Sequence, residues 1–158
     1  MKLIIQIPCK NEEENLWKVL SELPKQIDWI DVIEYQIIDD GSTDKTLEVA
    51  KNFWVHHIIK FNKNRWLGFW FKAWVENALK NWADILVNTD ADNQYPSKYI
   101  KDLVKPIVEW KSDIVIWNRK PTEVNYFRWY KKILQWFWND VLSSIVWEKL
   151  PDSVSWFR

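Results

Sequence analysis

Short apolar runs alternate with segments of helical periodicity along almost the whole chain, and this alternation limits the folds open to it. Leu3–Ile7, Tyr35–Asp39, His56–Lys60, Ile85–Thr89 and Asp113–Ile116 read as strands. Between them, Leu16, Val19, Leu20 and Leu23 recur at helical spacing from Glu13 to a stop at Pro24. Ser42 or Thr43 is expected to cap a helix that buries Leu47, Val49 and Ala50, with Asp44 in its first turn. Leu67–Leu79 reads as a third helix, and Pro96 or Ser97 opens a fourth that runs to about Glu109. A long amphipathic helix from about Tyr126 to Val146 follows. Regular strand–helix alternation predicts an α/β fold: a doubly wound, mostly parallel sheet with helices on both faces. The 158 residues are enough for one domain with a sizeable core, and no repeat or low-complexity linker divides them.

Lys plus Arg equals Asp plus Glu at 22 each, so no net field draws the chain to nucleic acid or to an anionic membrane. The single cysteine, Cys9, excludes a disulfide framework and fits a reducing compartment. The N-terminus enters a strand directly, without signal-peptide features, and no apolar run approaches the roughly 18 residues of a membrane span. The expectation is a soluble, cytoplasmic chain.

One number is out of line. The chain has 14 Trp and 2 Gly, where average usage of about 7% would give about 11 Gly. Trp54 and Trp82 follow helical patterns and precede strands, where a left-handed glycine is usual; Trp66 sits in a polar loop and Trp117 ends a strand pattern. A stacking platform for sugars or an interfacial belt would put tryptophans on one face. These are spread over loops, helix ends and strand ends. The expectation is that most stand for glycines encoded by UGA; restoring about nine would return average glycine content. UGG codons at positions 66, 74, 82 and 117 would refute it.

The chemistry gathers where strands end. In open α/β sheets those ends are where ligands bind, and carboxylates there are costly to leave unpaired. Asp90 and Asp92 follow the fourth strand at i, i+2 spacing, so in an extended segment both carboxylates point one way and can share a hard divalent cation. Paired acids in a solvated loop are common; the preceding strand, Gln94 and the Pro-started helix favour the functional reading. Asp39 ends the second strand and could accept hydrogen bonds from a base or ribose, whereas Asp40 also suits a turn and Asp44 a helix dipole. Asn11 and Glu12 lie at the tip of the first strand; Glu13 and Glu14 read as a solvated helix entry. Arg119 follows the fifth strand and could pair with phosphate, or be a surface charge. Lys63, Asn64 and Arg65 form a small basic loop, facing a diphosphate or only solvent. His56 and His57 read as structural, and no nucleophile elbow, Walker loop or paired-cysteine zinc pattern is present.

These residues carry a resemblance. Ile7-Pro8-Cys9-Lys10-Asn11-Glu12-Glu13, Asp39 to Asp44, Asn64-Arg65-Trp66-Leu67-Gly68, Thr89 to Pro96, Ile116-Trp117-Asn118-Arg119 and Asp152 to Arg158 resemble, in order and spacing, family 2 glycosyltransferases of the GT-A (Rossmann-like) fold. The dolichol-phosphate mannosyltransferase-like branch, which glycosylates polyprenyl phosphates, is the nearest. The resemblance implies a nucleoside pocket lined by Pro8, Asn11, Glu12, Asp39 and Asp40, and Mg²⁺ or Mn²⁺ held by Asp90, Asp92 and Gln94. It implies phosphate contacts from Arg119 and Arg158, a UDP- or GDP-sugar donor, a lipid-phosphate acceptor, and inversion at the anomeric carbon at the cytoplasmic membrane face. The family carries glycine where this chain has Trp66, Trp74, Trp82, Trp117 and Trp156; literal indoles at 66, 117 and 156 would crowd the donor site. Relatives continue beyond the motif at Arg158, so the chain reads as a fragment with the acceptor side and any membrane anchor missing. A sugar-nucleotide nucleotidyltransferase would need a Gly-rich basic loop after the first strand, which Pro8–Glu13 lacks. A catalytically silent sugar- or nucleotide-binding module is the reading from outside the enzymes.

Overall fold

The computed structural model describes residues 1–62, 67–92, 95–117, 137, 139, 140, 143 and 144. The chain divides into two units, and the elements that follow lie in the first, Met1–Val115. They run β1 (Lys2–Cys9), α1 (Leu16–Glu22), β2 (Val32–Asp39), α2 (Thr46–Asn52), β3 (His57–Lys60), α3 (Leu67–Lys80), β4 (Ile85–Asn88), a 3₁₀ turn (Ser97–Tyr99) and α4 (Ile100–Val108).

The four strands form one parallel sheet in the order β3-β2-β1-β4. Parallel strands are covered on both faces, which is why β1 is a near-continuous apolar run rather than an alternating one. Leu3, Ile4, Ile5, Gln6 and Ile7 are all fully buried. Leu16, Val19, Leu20 and Leu23 of the α1 region, and Ile100, Leu103 and Val104 of α4, complete the core. Each such side chain contributes about 1.5–3 kcal/mol by leaving water.

Two glutamines interrupt the apolar runs and explain how α3 is seated. Gln6 and Gln36 are register partners on adjacent strands, so their side chains share a face. Gln36 Nε2 donates to Gln6 Oε1 at 2.6 Å and to the Trp74 carbonyl at 3.4 Å, while Asn77 Nδ2 donates to Gln36 Oε1 at 2.5 Å. Trp74 and Asn77 are three residues apart, one helical turn, so α3 is pinned to this face. Contacts of α1 with α2 and with the 3₁₀ turn, and of α4 with β4, build the other helical elements around the sheet.

Three expectations need correction. Neither Ser42 nor Thr43 caps α2, which starts at Thr46 after Lys45 with no side-chain cap. Ser42 Oγ instead accepts the Asn11 N–H at 2.9 Å, and Asp44 Oδ1 takes the Thr46 N–H at 3.0 Å. Within α2 only Thr46 and Ala50 are buried, so Leu47 and Val49 are partly covered. Asp113–Ile116 is not a strand: residues 113–117 are irregular, and Ile114 and Ile116 are 75% and 47% exposed. Apolar sequence alone does not make a strand, and among the described residues the segment has no ladder partner. The long helix expected over Tyr126–Val146 falls mostly outside the described residues; 137, 139, 140, 143 and 144 are helical.

The histidines are structural, as expected. His56 Nδ1 accepts the Tyr35 N–H at 3.0 Å. His57 Nε2 lies 2.7 Å and Lys2 Nζ 2.8 Å from Glu34 Oε2. Burial raises the Glu34 pKa, but hydrogen bonds from Lys2 and His57 outweigh it and hold the carboxyl below its ordinary value. A depressed carboxylate pKa stabilises the fold above the unfolded-state pKa, and the contribution is lost as pH falls through the folded-state value. Glu34→Gln should therefore lower stability at pH 7 by about 1 kcal/mol, with the difference from the parent shrinking in acid below about pH 4.5. Urea midpoints measured from pH 7 down to pH 3 check this.

Candidate functional site

The order of the strands fixes where a site can form. From β1 the chain steps outward to β2 and β3, then α3 returns it across the sheet to β4 on the other side of β1. The direction of winding thus reverses between β1 and β4, and the carboxyl ends of these strands are the place where doubly wound sheets bind ligands. Cys9, Asp39 and Lys60 are register partners at the ends of β1, β2 and β3. Beyond β4, Thr89 N–H donates to the Gln6 carbonyl at 2.9 Å and continues the ladder by one residue.

The β1–α1 and β2–α2 loops are stitched together. Asn11 takes a left-handed φ of 54°, which asparagine tolerates better than most residues. Its Oδ1 accepts the Thr43 N–H at 2.9 Å. Glu12 N–H donates to Thr46 Oγ1 at 2.8 Å, Glu13 N–H to Asp44 Oδ2 at 3.1 Å, and Lys45 N–H to Glu13 Oε2 at 2.7 Å. Glu13 is therefore a brace rather than a solvated helix entry. Asp44 acts ahead of the helix: burial raises its pKa, but bonds from the Thr46 hydroxyl and from backbone N–H groups win and hold it low.

Asp39 and Asp40 diverge in their surroundings. Asp39 is fully buried; Oδ1 accepts the Ser42 N–H at 3.0 Å, and Oδ2 has no partner among the described residues. Buried carboxylate oxygens are rarely left so, because desolvation without a hydrogen bond is costly. Asp40 is 3% exposed, with Oδ1 accepting Trp70 Nε1–H at 3.2 Å and Oδ2 4.0 Å from Lys10 Nζ. Thr89 is also fully buried with no partner for its hydroxyl among the described residues. In the sequence Thr89 stands out only as the end of the fourth strand and the start of the segment Thr89 to Pro96, and Trp70 and Thr46 carry no signal of a place in the site.

The strand ends are electronegative. Burial, then the charges of Asp39, Glu12 and Asp44, raise the Cys9 thiol far above its ordinary range, so it stays protonated. Such surroundings favour a hydrogen-bond donor or a cation and repel a bare phosphate. Asp90 is half-buried and Asp92 exposed, flanking buried Ala91. The segment is not extended as expected: residues 91–92 form a turn, so strand alternation does not align the two carboxylates. Their hard oxygens still suit Mg²⁺ or Mn²⁺. Among the described residues no group of three or more His, Cys, Asp or Glu is placed to hold a metal. Gln94, Arg119, Arg158 and the basic loop Lys63, Asn64 and Arg65 lie outside the described residues. A hollow of about 310 Å³ between Gln26–Trp29 and α4 includes none of the strand-end carboxylates. No helix among the described residues is long and apolar enough to cross a membrane.

The sequence profile of glycosyl transferase family 2 matches residues 4–157. The chain is 31% identical over 121 residues to an uncharacterized protein of Methanocaldococcus jannaschii, covering 75% of this chain and 46% of that one. It is 30% identical over 139 residues to a dolichol-phosphate mannosyltransferase of Pyrococcus furiosus, covering 85% of this chain and 38% of that one. The chain thus spans less than half the length of these two relatives. Among solved structures, glucosyl-3-phosphoglycerate synthase of Mycobacterium tuberculosis, crystallised with Mn²⁺, UDP and glucosyl-3-phosphoglycerate, has a TM-score of 0.52 at 23% identity over 67% of this chain and 39% of that one. At that identity the likeness speaks to the fold, and it bears out the expected GT-A type α/β arrangement.

Proposed function

The chain belongs to glycosyl transferase family 2, and from that premise we propose that it serves sugar transfer from a UDP- or GDP-sugar to a polyprenyl phosphate, with Mg²⁺ or Mn²⁺. Residues 1–158 form the donor-binding part of the catalytic domain, which works at the cytoplasmic face of a membrane. The observation that carries the reading is Asp39 Oδ2, fully buried at the end of β2 and without a partner among the described residues, one strand from the winding reversal. A base N–H or a ribose hydroxyl supplies the donor it lacks. Pro8 and Glu12 form the neighbouring wall. Asn11, whose amide oxygen already accepts from Thr43, shapes that wall by fixing the loop. Asp40, engaged by Trp70 and Lys10, holds the floor.

Asp90 and Asp92, with Gln94, are the proposed metal ligands. The cation supplies neutralisation of the charge that builds on the departing nucleoside diphosphate. The acidic strand ends support this assignment, since Asp39, Asp40, Glu12 and Asp44 would otherwise set like charge against a diphosphate that Lys10 and Lys60 only partly offset. Arg119 and Arg158 are assigned to phosphates of donor or acceptor. A polyprenyl phosphate oxygen is already ionised, so in-line attack with inversion needs no dedicated general base. The mannosyltransferase named above acts on dolichol phosphate by its description, which supports the acceptor class.

The test is release of UDP or GDP from its sugar conjugate in the presence of a polyprenyl phosphate in detergent. The expected result is release that needs both the lipid phosphate and Mn²⁺ or Mg²⁺, stops with EDTA, and falls about 100-fold or more in Asp92→Asn. Release that ignores EDTA and Asp92→Asn would refute the metal assignment. No release from a protein that binds nucleotide would leave a silent binding module.

A further inference from the structure

Among the described residues, five that are not glycine have φ in the left-handed region: Asn11, Trp29, Trp54, Trp82 and Trp110. Asparagine is at home there. Tryptophan is not, because its Cβ crowds the backbone at positive φ and its ring brings no local hydrogen bond in return.

Three of the four tryptophans occupy the same place in the same motif. Trp54 N–H donates to the Lys51 carbonyl at 3.0 Å and Val55 N–H to Ala50 at 3.2 Å, closing α2. Trp82 N–H donates to Leu79 at 3.1 Å and Ala83 N–H to Ala78 at 3.0 Å, closing α3. Trp110 N–H donates to Ile107 at 3.0 Å and Lys111 N–H to Pro106 at 2.9 Å, closing α4. These paired bonds form the Schellman ending, whose left-handed position is usually glycine. Trp29 is the third residue of a turn closed by Ile30 N–H to the Ile27 carbonyl at 3.1 Å, and its φ of 67° there is what a type II turn asks of glycine.

Burial of the indoles offsets little of the strain. Trp29, Trp54, Trp82 and Trp110 are 63%, 86%, 87% and 89% exposed. Gly41, one of only two glycines in the chain, sits at φ 79°, so this chain does use glycine where positive φ is required. Independent substitutions would put several residue types into four glycine positions. One residue type in all four points to one codon.

We infer that Trp29, Trp54, Trp82 and Trp110 are glycines in the protein as its own cell makes it, encoded by UGA codons that this cell reads as glycine. Tryptophan at these positions results from reading UGA as tryptophan. Trp74 is a separate case, within α3 and not at positive φ: it is 4% exposed where the α3 backbone approaches Gln36, and its indole N–H has no partner among the described residues.

The codons at 29, 54, 82 and 110, and peptide sequencing of the protein from its own cells, decide the matter together. The expected result is UGA at all four, with native peptides lighter at each by the difference between an indole side chain and a hydrogen. UGG codons, or UGA with tryptophan in the native peptides, would overturn the inference and leave the four indoles as a surface feature. A recombinant chain with Trp29→Gly, Trp54→Gly, Trp82→Gly and Trp110→Gly together should melt about 5–10 °C above the tryptophan chain, relief of the left-handed strain being partly offset by the freedom glycine adds to the unfolded chain. Equal or lower melting would likewise count against it.

Discussion

Asp39→Asn weakens binding of the nucleoside diphosphate by roughly 10- to 150-fold while leaving the fold at least as stable as before. The two effects have different origins. An amide oxygen can still accept the Ser42 N–H that Asp39 Oδ1 accepts at 3.0 Å, and the substitution removes a fully buried carboxylate with one unpartnered oxygen. In place of Oδ2, however, an NH₂ group faces the ligand, so an acceptor becomes a donor. A hydrogen bond to a charged group contributes about 1.5–3 kcal/mol, which converts to the stated loss of affinity. Calorimetric titration reads the affinity and urea unfolding the stability. Unchanged affinity would remove Asp39 from the proposed pocket; lost stability would make it a structural residue.

The largest effect on folding is expected at Gln36. Gln36→Leu keeps much of the volume but deprives the Gln6 Oε1 acceptor and the Asn77 amide of their partner under the sheet. A buried polar group stripped of its partner costs about 1–3 kcal/mol. The loss should be about 2–4 kcal/mol by urea unfolding, since Asn77 is only partly buried and can turn toward water. Gln6→Leu on the Gln36→Leu background should recover part of that loss, because removing both partners costs less than orphaning one. A double variant less stable than the single one by a full core-mutation increment would contradict the account.

Much of the sheet was legible in the sequence because it depends on a property that single residues carry. Strands covered on both faces must be apolar throughout, and Leu3–Ile7 and Ile85–Thr89 announced β1 and β4 to within a few residues. Asp113–Ile116 shows the limit: it carries the same signal, yet its exposure reflects pairing, which composition does not encode. The start of α2 at Thr46 departs from the expected cap for a related reason. Ser42 makes a good cap by type, but its hydroxyl serves Asn11, 31 positions away in sequence, and local rules cannot see such a partner. Gln36 was hidden because a buried amide is recognisable only once Gln6 and Asn77 are known to meet it.

The candidate site was legible in its location more than in its geometry. Acidic residues at strand ends point to the carboxyl edge of the sheet, where Asp39 ends β2, Asp40 follows it, and Asp90 and Asp92 follow β4. What distinguishes Asp39 from Asp40 is their surroundings: one has an oxygen without a partner among the described residues, the other contacts Trp70 and Lys10. Spacing of i, i+2 aligns Asp90 and Asp92 only on extended backbone, and the chain turns there. The tryptophans were the reverse case, since an anomaly of composition became, at Trp54, Trp82 and Trp110, a specific conflict between side chain and backbone.

Thermal unfolding with UDP and with GDP, each with and without Mn²⁺, tests the nucleoside diphosphate site most directly. A ligand at 100 times its dissociation constant stabilises the folded chain by about 2.7 kcal/mol, worth roughly 5–10 °C at this size. The account predicts such a rise with one of the two nucleotides, dependent on Mn²⁺ and lost in Asp92→Asn. A well-folded chain that neither nucleotide stabilises, with the metal at saturating concentration, would contradict it.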